Sequence, residues 1–170
     1  MAKSRRTERI LVIFHFLKRC KEVSYKEVND EIPVSKKTVY RDIRFLRDAG
    51  FRISFSMSPK SYVMYPGKDP PKLPENKAAR RYMGRILRLI DMMCEMEGAD
   101  DPAAWYREKY PNLSVRTMRR DFKILNSIGY RVEYARGWDI WEERQPRKYY
   151  CEWPTGTYDP YVFELFKRQR

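Results

Sequence analysis

One stretch of 21 residues occurs twice in this chain, and that duplication limits the possible folds more than any other feature. Residues 35–55 read SKKTVYRDIRFLRDAGFRISF, and residues 114–134 read SVRTMRRDFKILNSIGYRVEY. At a constant offset of 79, seven of the 21 positions are identical: Ser35/Ser114, Thr38/Thr117, Arg41/Arg120, Asp42/Asp121, Leu46/Leu125, Gly50/Gly129 and Arg52/Arg131. Upstream, Arg9-Ile10-Leu11 returns as Arg85-Ile86-Leu87. Downstream, Tyr62-Val63-Met64-Tyr65-Pro66 returns as Tyr150-Cys151-Glu152-Trp153-Pro154. The offset grows from 76 to 79 to 88, so insertions fall between elements, where loops absorb them. The 170 residues are therefore expected to form two small units of one architecture.

Each repeat carries the same local signals. In the first, Ile10, Leu11, Ile13, Phe14 and Leu17 recur at helical spacing, which predicts a helix near 5–20. Ser24 and Glu27 form a capping box that opens a short second helix ending near Glu31. Pro33 interrupts the chain, and Ser35 caps a third helix with Val39, Ile43 and Leu46 as its buried stripe. Gly50 supplies the positive φ that often follows a helix. Residues 51–55 alternate as a strand, 58–61 turn, and Tyr62–Tyr65 return as a second strand. In the second repeat a helix is predicted over 77–96, and Asp101-Pro102 starts a short helix. Ser114 caps the third, with Met118, Phe122 and Leu125 buried, and Gly129 ends it. Strands near 130–135 and 148–153 flank a longer loop.

The expected fold class is mainly α with small β-hairpins (α+β). The order of three helices and a hairpin, found twice, is that of two tandem winged helix-turn-helix domains. The expected divisions are a first domain over 1–66, a Pro-rich linker over 67–76, a second domain over 77–154 and an aromatic, basic tail over 155–170 with a short helix. Pro66, Pro70, Pro71 and Pro74 make the connector stiff and extended.

Charge narrows the partners. The 36 basic and 23 acidic residues leave a net charge of +13, which favours polyanions. Aromatic residues make up 15% of the chain, which argues against a disordered basic tail. Three cysteines cannot staple a disulfide scaffold. No apolar run nears the roughly 20 residues that span a bilayer, and the N-terminus does not read as a signal peptide. The expected location is cytoplasmic and nucleoid-associated, with no membrane partner.

The third helix of each repeat is the informative element. Opposite its buried stripe the first carries Lys36, Lys37, Tyr40, Arg41, Arg44 and Arg47. The second carries Arg116, Arg119, Arg120 and Lys123. A helix fits the major groove of B-DNA, where Arg and Lys donate to guanine edges or phosphates. A capped helix start also offers amides to a phosphate. The candidate DNA-binding set is Ser35, Lys36, Lys37, Thr38, Tyr40, Arg41, Arg44 and the wing residue Lys60, with Ser114, Arg116, Thr117, Arg119, Arg120 and Lys123 in the second repeat. Two such helices could read successive major grooves about 34 Å apart.

Val34-Ser35-Lys36-Lys37-Thr38-Val39-Tyr40-Arg41-Asp42-Ile43, followed by Leu46, Ala49 and Gly50, resembles the N-terminal winged helix of deoxyribose-operon-repressor-type and WYL-domain bacterial regulators. The resemblance covers about residues 5–66, and 80–154 match more loosely because Tyr40 becomes Arg119. It implies sequence-specific DNA binding and transcription regulation, with the third helix in the major groove. Such regulators usually add a C-terminal ligand-sensing domain. Here a second winged helix is expected in that place.

Other residues complete the expectations. Asp42 and Asp121 would repel phosphates, so each is expected to face inward and pair with a first-helix cation, Arg9 and Arg85, the alternative being a direct contact to cytosine N4. Residues 1–66 hold 15 basic and 7 acidic side chains, against 16 and 12 in 77–154, so the first domain should dominate DNA affinity. The second wing (Trp138, Trp141) and the tail (Tyr158, Tyr161, Phe163, Phe166) leave two readings open, a surface for a homodimer or protein partner and packing back onto the domain. His15 reads as core, and Met92, Met93 and Met96 as core filling. Cys20, Cys94 and Cys151 lack metal-site spacing. No catalytic residue, metal or cofactor is expected. The alternatives are a replication initiator or nucleoprotein-assembly protein with tandem winged helices, and an RNA-binding protein.

Overall fold

The computed structural model describes residues 6–20, 22–134 and 149–153. Among them the chain is a mixed α/β protein of six helices and two small antiparallel sheets. It divides into two compact units, the first running to Ile90 and the second from Asp91 to Pro154.

The first unit begins with α1 (Arg6–Arg19). Every residue from Arg9 to Leu17 is buried, so α1 is enclosed on all sides and forms the centre of this unit. β1 (Val23–Ser24) leads directly into α2 (Tyr25–Glu31). The expected capping box is present: Ser24 Oγ accepts from the Glu27 amide, and the Glu27 carboxylate accepts from the Ser24 amide. α3 (Lys36–Asp48) presses Val39, Ile43 and Leu46 inward, all essentially inaccessible to water. β2 (Phe51–Met57) and β3 (Lys60–Lys68) then form the expected hairpin, with Phe55 opposite Tyr62 and Met57 opposite Lys60.

Three features go beyond the sequence reading. β1 pairs with β3, Val23 opposite Tyr62, so the hairpin belongs to a three-stranded sheet ordered β1-β3-β2. β3 also continues through Pro66 and Gly67 to Lys68, and the start of the Pro-rich stretch is tied to the first unit. The Asp69 amide donates to the Gly50 carbonyl at 2.8 Å, and the Lys72 amide donates to the Asp48 carbonyl at 2.7 Å. Gly50 has a φ of +99°, and a Cβ there would lie 2.2 Å from the Asp69 carbonyl oxygen. Turn geometry and close approach therefore both require glycine at this position.

The third feature is the unit boundary. α4 (Lys77–Glu95) is the repeat's counterpart of α1, yet the division between units falls inside it. Most of it, through Ile90, belongs with the first unit, where Tyr82 packs on Phe45 of α3, ring centroids 5.6 Å apart. The Arg6 guanidinium lies over both rings, at 5.3 and 5.1 Å.

The second unit contains the end of α4, α5 (Pro102–Lys109), α6 (Val115–Ser127), β4 (Arg131–Tyr134) and β5 (Tyr149–Glu152). Asp101 caps α5, with Pro102 in its first turn, as the sequence predicts. Met92, Met93 and Met96 are fully buried here, and the Cys151 thiol donates to the Met96 carbonyl at 3.2 Å. Its sheet has two strands, with Val132 opposite Cys151. No helix among the described residues is long and apolar enough to cross a membrane.

Candidate nucleic-acid interface

The two third helices start in the same way. Ser35 is extended at φ −64°, ψ 148°, and its Oγ accepts from the Thr38 amide at 3.3 Å. Ser114, at φ −72°, ψ 154°, accepts from the Thr117 amide at 3.2 Å. In each cap the serine and threonine hydroxyls also share a hydrogen bond, at 2.9 and 3.0 Å. This satisfies one orphan amide at each helix start. Thr38 and Thr117 are half-buried there, while Ser35 and Ser114 are exposed.

From these starts the helical period separates two faces. On α3 the stripe Val39, Ile43 and Leu46 is buried, and Lys36, Lys37, Tyr40, Arg41 and Arg44 are exposed. Tyr40 is 55% accessible and lies among these cations. On α6, Met118, Phe122 and Leu125 are buried, and Arg116, Arg119, Arg120 and Lys123 are exposed. Lys60 is exposed where the first hairpin turns. Among the described residues, none of these Lys and Arg side chains forms a salt bridge. The cations are thus available to an outside anion.

Asp42 is the exception on α3, and it faces inward as expected. It is inaccessible to water and is held by the Arg9 guanidinium through Nε, with a second contact from Nη2 at 3.3 Å. Arg9 is itself only 7% accessible, so this is a buried, bidentate ion pair joining α1 to α3. Arg6 adds a weaker contact at 3.9 Å. Asp121 is likewise buried and accepts from the Tyr106 hydroxyl on α5 at 2.7 Å. Tyr106 was not anticipated as its partner.

Arg47 corrects the sequence reading. The sequence places it among the outward cations, but it is half-buried and its Nε donates to the Ile53 carbonyl at 2.7 Å. The equivalent residue 79 positions on is Asn126. Its Nδ2 donates to the Val132 carbonyl at 3.0 Å, and its Oδ1 accepts from the Val132 amide at 2.6 Å. Both side chains fasten the third helix to the strand that follows. Spacing could have revealed this, because Arg47 lies four residues after Ile43 and flanks the buried stripe.

Burial pushes the Cys20 and Cys151 thiols up, with nearby Glu27 adding to the effect at Cys20. That shift is opposite to the one an activated thiol needs. Burial also raises the Tyr62 phenol. On the surface, the Arg52 hydrogen bond holds the Asp69 carboxyl below its usual range. His15 is buried in α1, as expected.

Trp138, Trp141, Tyr158, Tyr161, Phe163 and Phe166, expected to offer partner surfaces, lie outside the described residues. No protein-family model, curated protein or solved structure matches the chain.

Proposed function

We propose that this protein binds double-stranded DNA sequence-specifically and acts as a non-enzymatic transcriptional regulator. In this reading each unit is a winged helix-turn-helix. α3 and α6 enter the major groove, the β2–β3 hairpin is a wing bringing Lys60 to the backbone, and the capped helix starts sit against phosphates. The observation that supports it most is on α3. Lys36, Lys37, Arg41 and Arg44 are exposed and unpaired among the described residues, on a helix whose other face is locked into the core. Leaving that many like charges together on one face opposes folding, and an anionic partner removes the repulsion.

Arg41 and Arg44 supply forked donors for guanine O6 and N7, whereas Lys36 and Lys37 near the helix start suit phosphates. The Arg9–Asp42 pair sets how α3 sits on α1, and so which side chains project.

A competition assay tests the class of partner. A B-form DNA duplex of mixed sequence should displace a labelled DNA probe more effectively than an A-form RNA duplex of the same sequence. The deep, narrow RNA major groove does not admit a helix. Equal or better competition by the RNA contradicts the proposal.

A further inference from the structure

Helix α4 departs from favourable helix chemistry on one face. Its solvent-side stripe runs Lys77, Arg81, Gly84 and Arg88, spaced three or four residues apart and therefore neighbours. Lys77, Arg80, Arg81 and Gly84 are exposed, and Arg88 is half-exposed. Two features here work against the helix. It has no acid in its first turn and no base in its last, so Lys77, Arg80 and Arg81 crowd the positive end of the dipole. Gly84 lies in the interior of 19 helical residues, where glycine is among the poorest helix formers. A Cβ on Gly84 would meet nothing within 4 Å, so no packing among the described residues requires a glycine. Arg80 is tied back by its Nε, which donates to the Pro74 carbonyl at 3.1 Å, whereas Lys77, Arg81 and Gly84 break local helix preference in the way expected at functional positions.

The rest of α4 is occupied. Met83, Ile86, Leu89 and Ile90 are buried, and Tyr82, about 200° around the helix from Gly84, rests on Phe45 of α3. The cationic stripe is thus distinct from the side of α4 that meets α3. α4 bears no exposed large apolar side chain, which a membrane-surface helix would need.

We propose that this face of α4 is a second, sequence-independent contact for the phosphate backbone of duplex DNA, additional to α3 and α6. The inference rests on the DNA-binding reading above. Lys77, Arg81 and Arg88 flank the gap left at Gly84, where a strand can approach the helix backbone closely. Phosphate contacts of this kind add affinity without reading bases.

The test measures the affinity of the full chain for a random-sequence 30-base-pair duplex across a salt series. Lys77→Gln with Arg81→Gln should flatten the log–log salt slope by about 1–2, as expected for two lost phosphate contacts. Gly84→Leu keeps the charge and should weaken binding about threefold or more, while raising Tm by about 3 °C through better helix propensity. Losses from the α4 pair and from Lys37→Gln with Arg41→Gln should add, as for separate surfaces. Wild-type binding with an unchanged slope in the α4 pair and unchanged affinity in Gly84→Leu overturns the α4 contact alone. A wild-type chain that binds no duplex overturns the DNA reading as well. Uptake by phosphatidylserine vesicles that depends on Lys77 and Arg81, with no effect of these residues on duplex binding, overturns the assignment to DNA.

Discussion

Asp42→Ala should lower the unfolding free energy by about 3–5 kcal/mol, enough to compromise a unit of this size. The reason is what remains behind. Arg9 is 7% accessible and sits in a helix buried from Arg9 to Leu17, so the substitution removes the Asp42 carboxylate from a guanidinium held away from water. Replacing both partners with apolar residues of similar volume, Arg9→Met with Asp42→Leu, should cost much less, because no charge is left uncompensated. Urea unfolding of the two variants separates the effects. Equal losses in the single and double variants would mean that the pair is not electrostatically coupled.

The second large effect is on DNA affinity. Arg41→Ala should weaken duplex binding by about 1–3 kcal/mol, roughly tenfold or more, and Lys37→Ala should weaken it with a salt slope flatter by about 1, both by more than Arg120→Ala. Arg41 and Arg120 are repeat equivalents, both exposed on their third helices, so the comparison holds local geometry nearly constant. What differs is the field around them. Residues 1–66 carry net +8, against +4 for residues 77–154. Each cation of the first unit therefore acts within a stronger positive potential. A gel-shift series with equal or reversed losses contradicts this ranking.

Features decided by neighbouring residues were legible in the sequence. The Ser24–Glu27 box, the caps at Ser35, Asp101 and Ser114, and the positive φ of Gly50 and Gly129 all depend on a few consecutive positions. The inward turn of Asp42 was also readable, since a carboxylate among cations meant for phosphates needs its own counter-ion. What escaped depends on distant partners. β1 has two residues, and only Ser61 and Tyr62 across the sheet make it a strand. Pro66 reads in the sequence as the start of the extended connector, yet it lies within β3, where β1 reaches only Tyr62 on that side and an unpaired edge tolerates the missing amide. Arg47 read as one more cation because its acceptor, the Ile53 carbonyl, belongs to the next element. The repeat predicted a boundary at the start of α4, but the contact of Tyr82 with Phe45 keeps the first turns of that helix with the first unit.

Titrating a DNA duplex into the isotopically labelled full chain, followed by NMR, locates the duplex-contacting surface residue by residue. Amide and side-chain shifts should concentrate at residues 35–44 and 114–123, and the buried stripe Val39, Ile43 and Leu46 should move less than Lys37, Arg41 and Arg44. Shifts confined to other surfaces, with those two segments unmoved at saturating duplex, would contradict the proposed function.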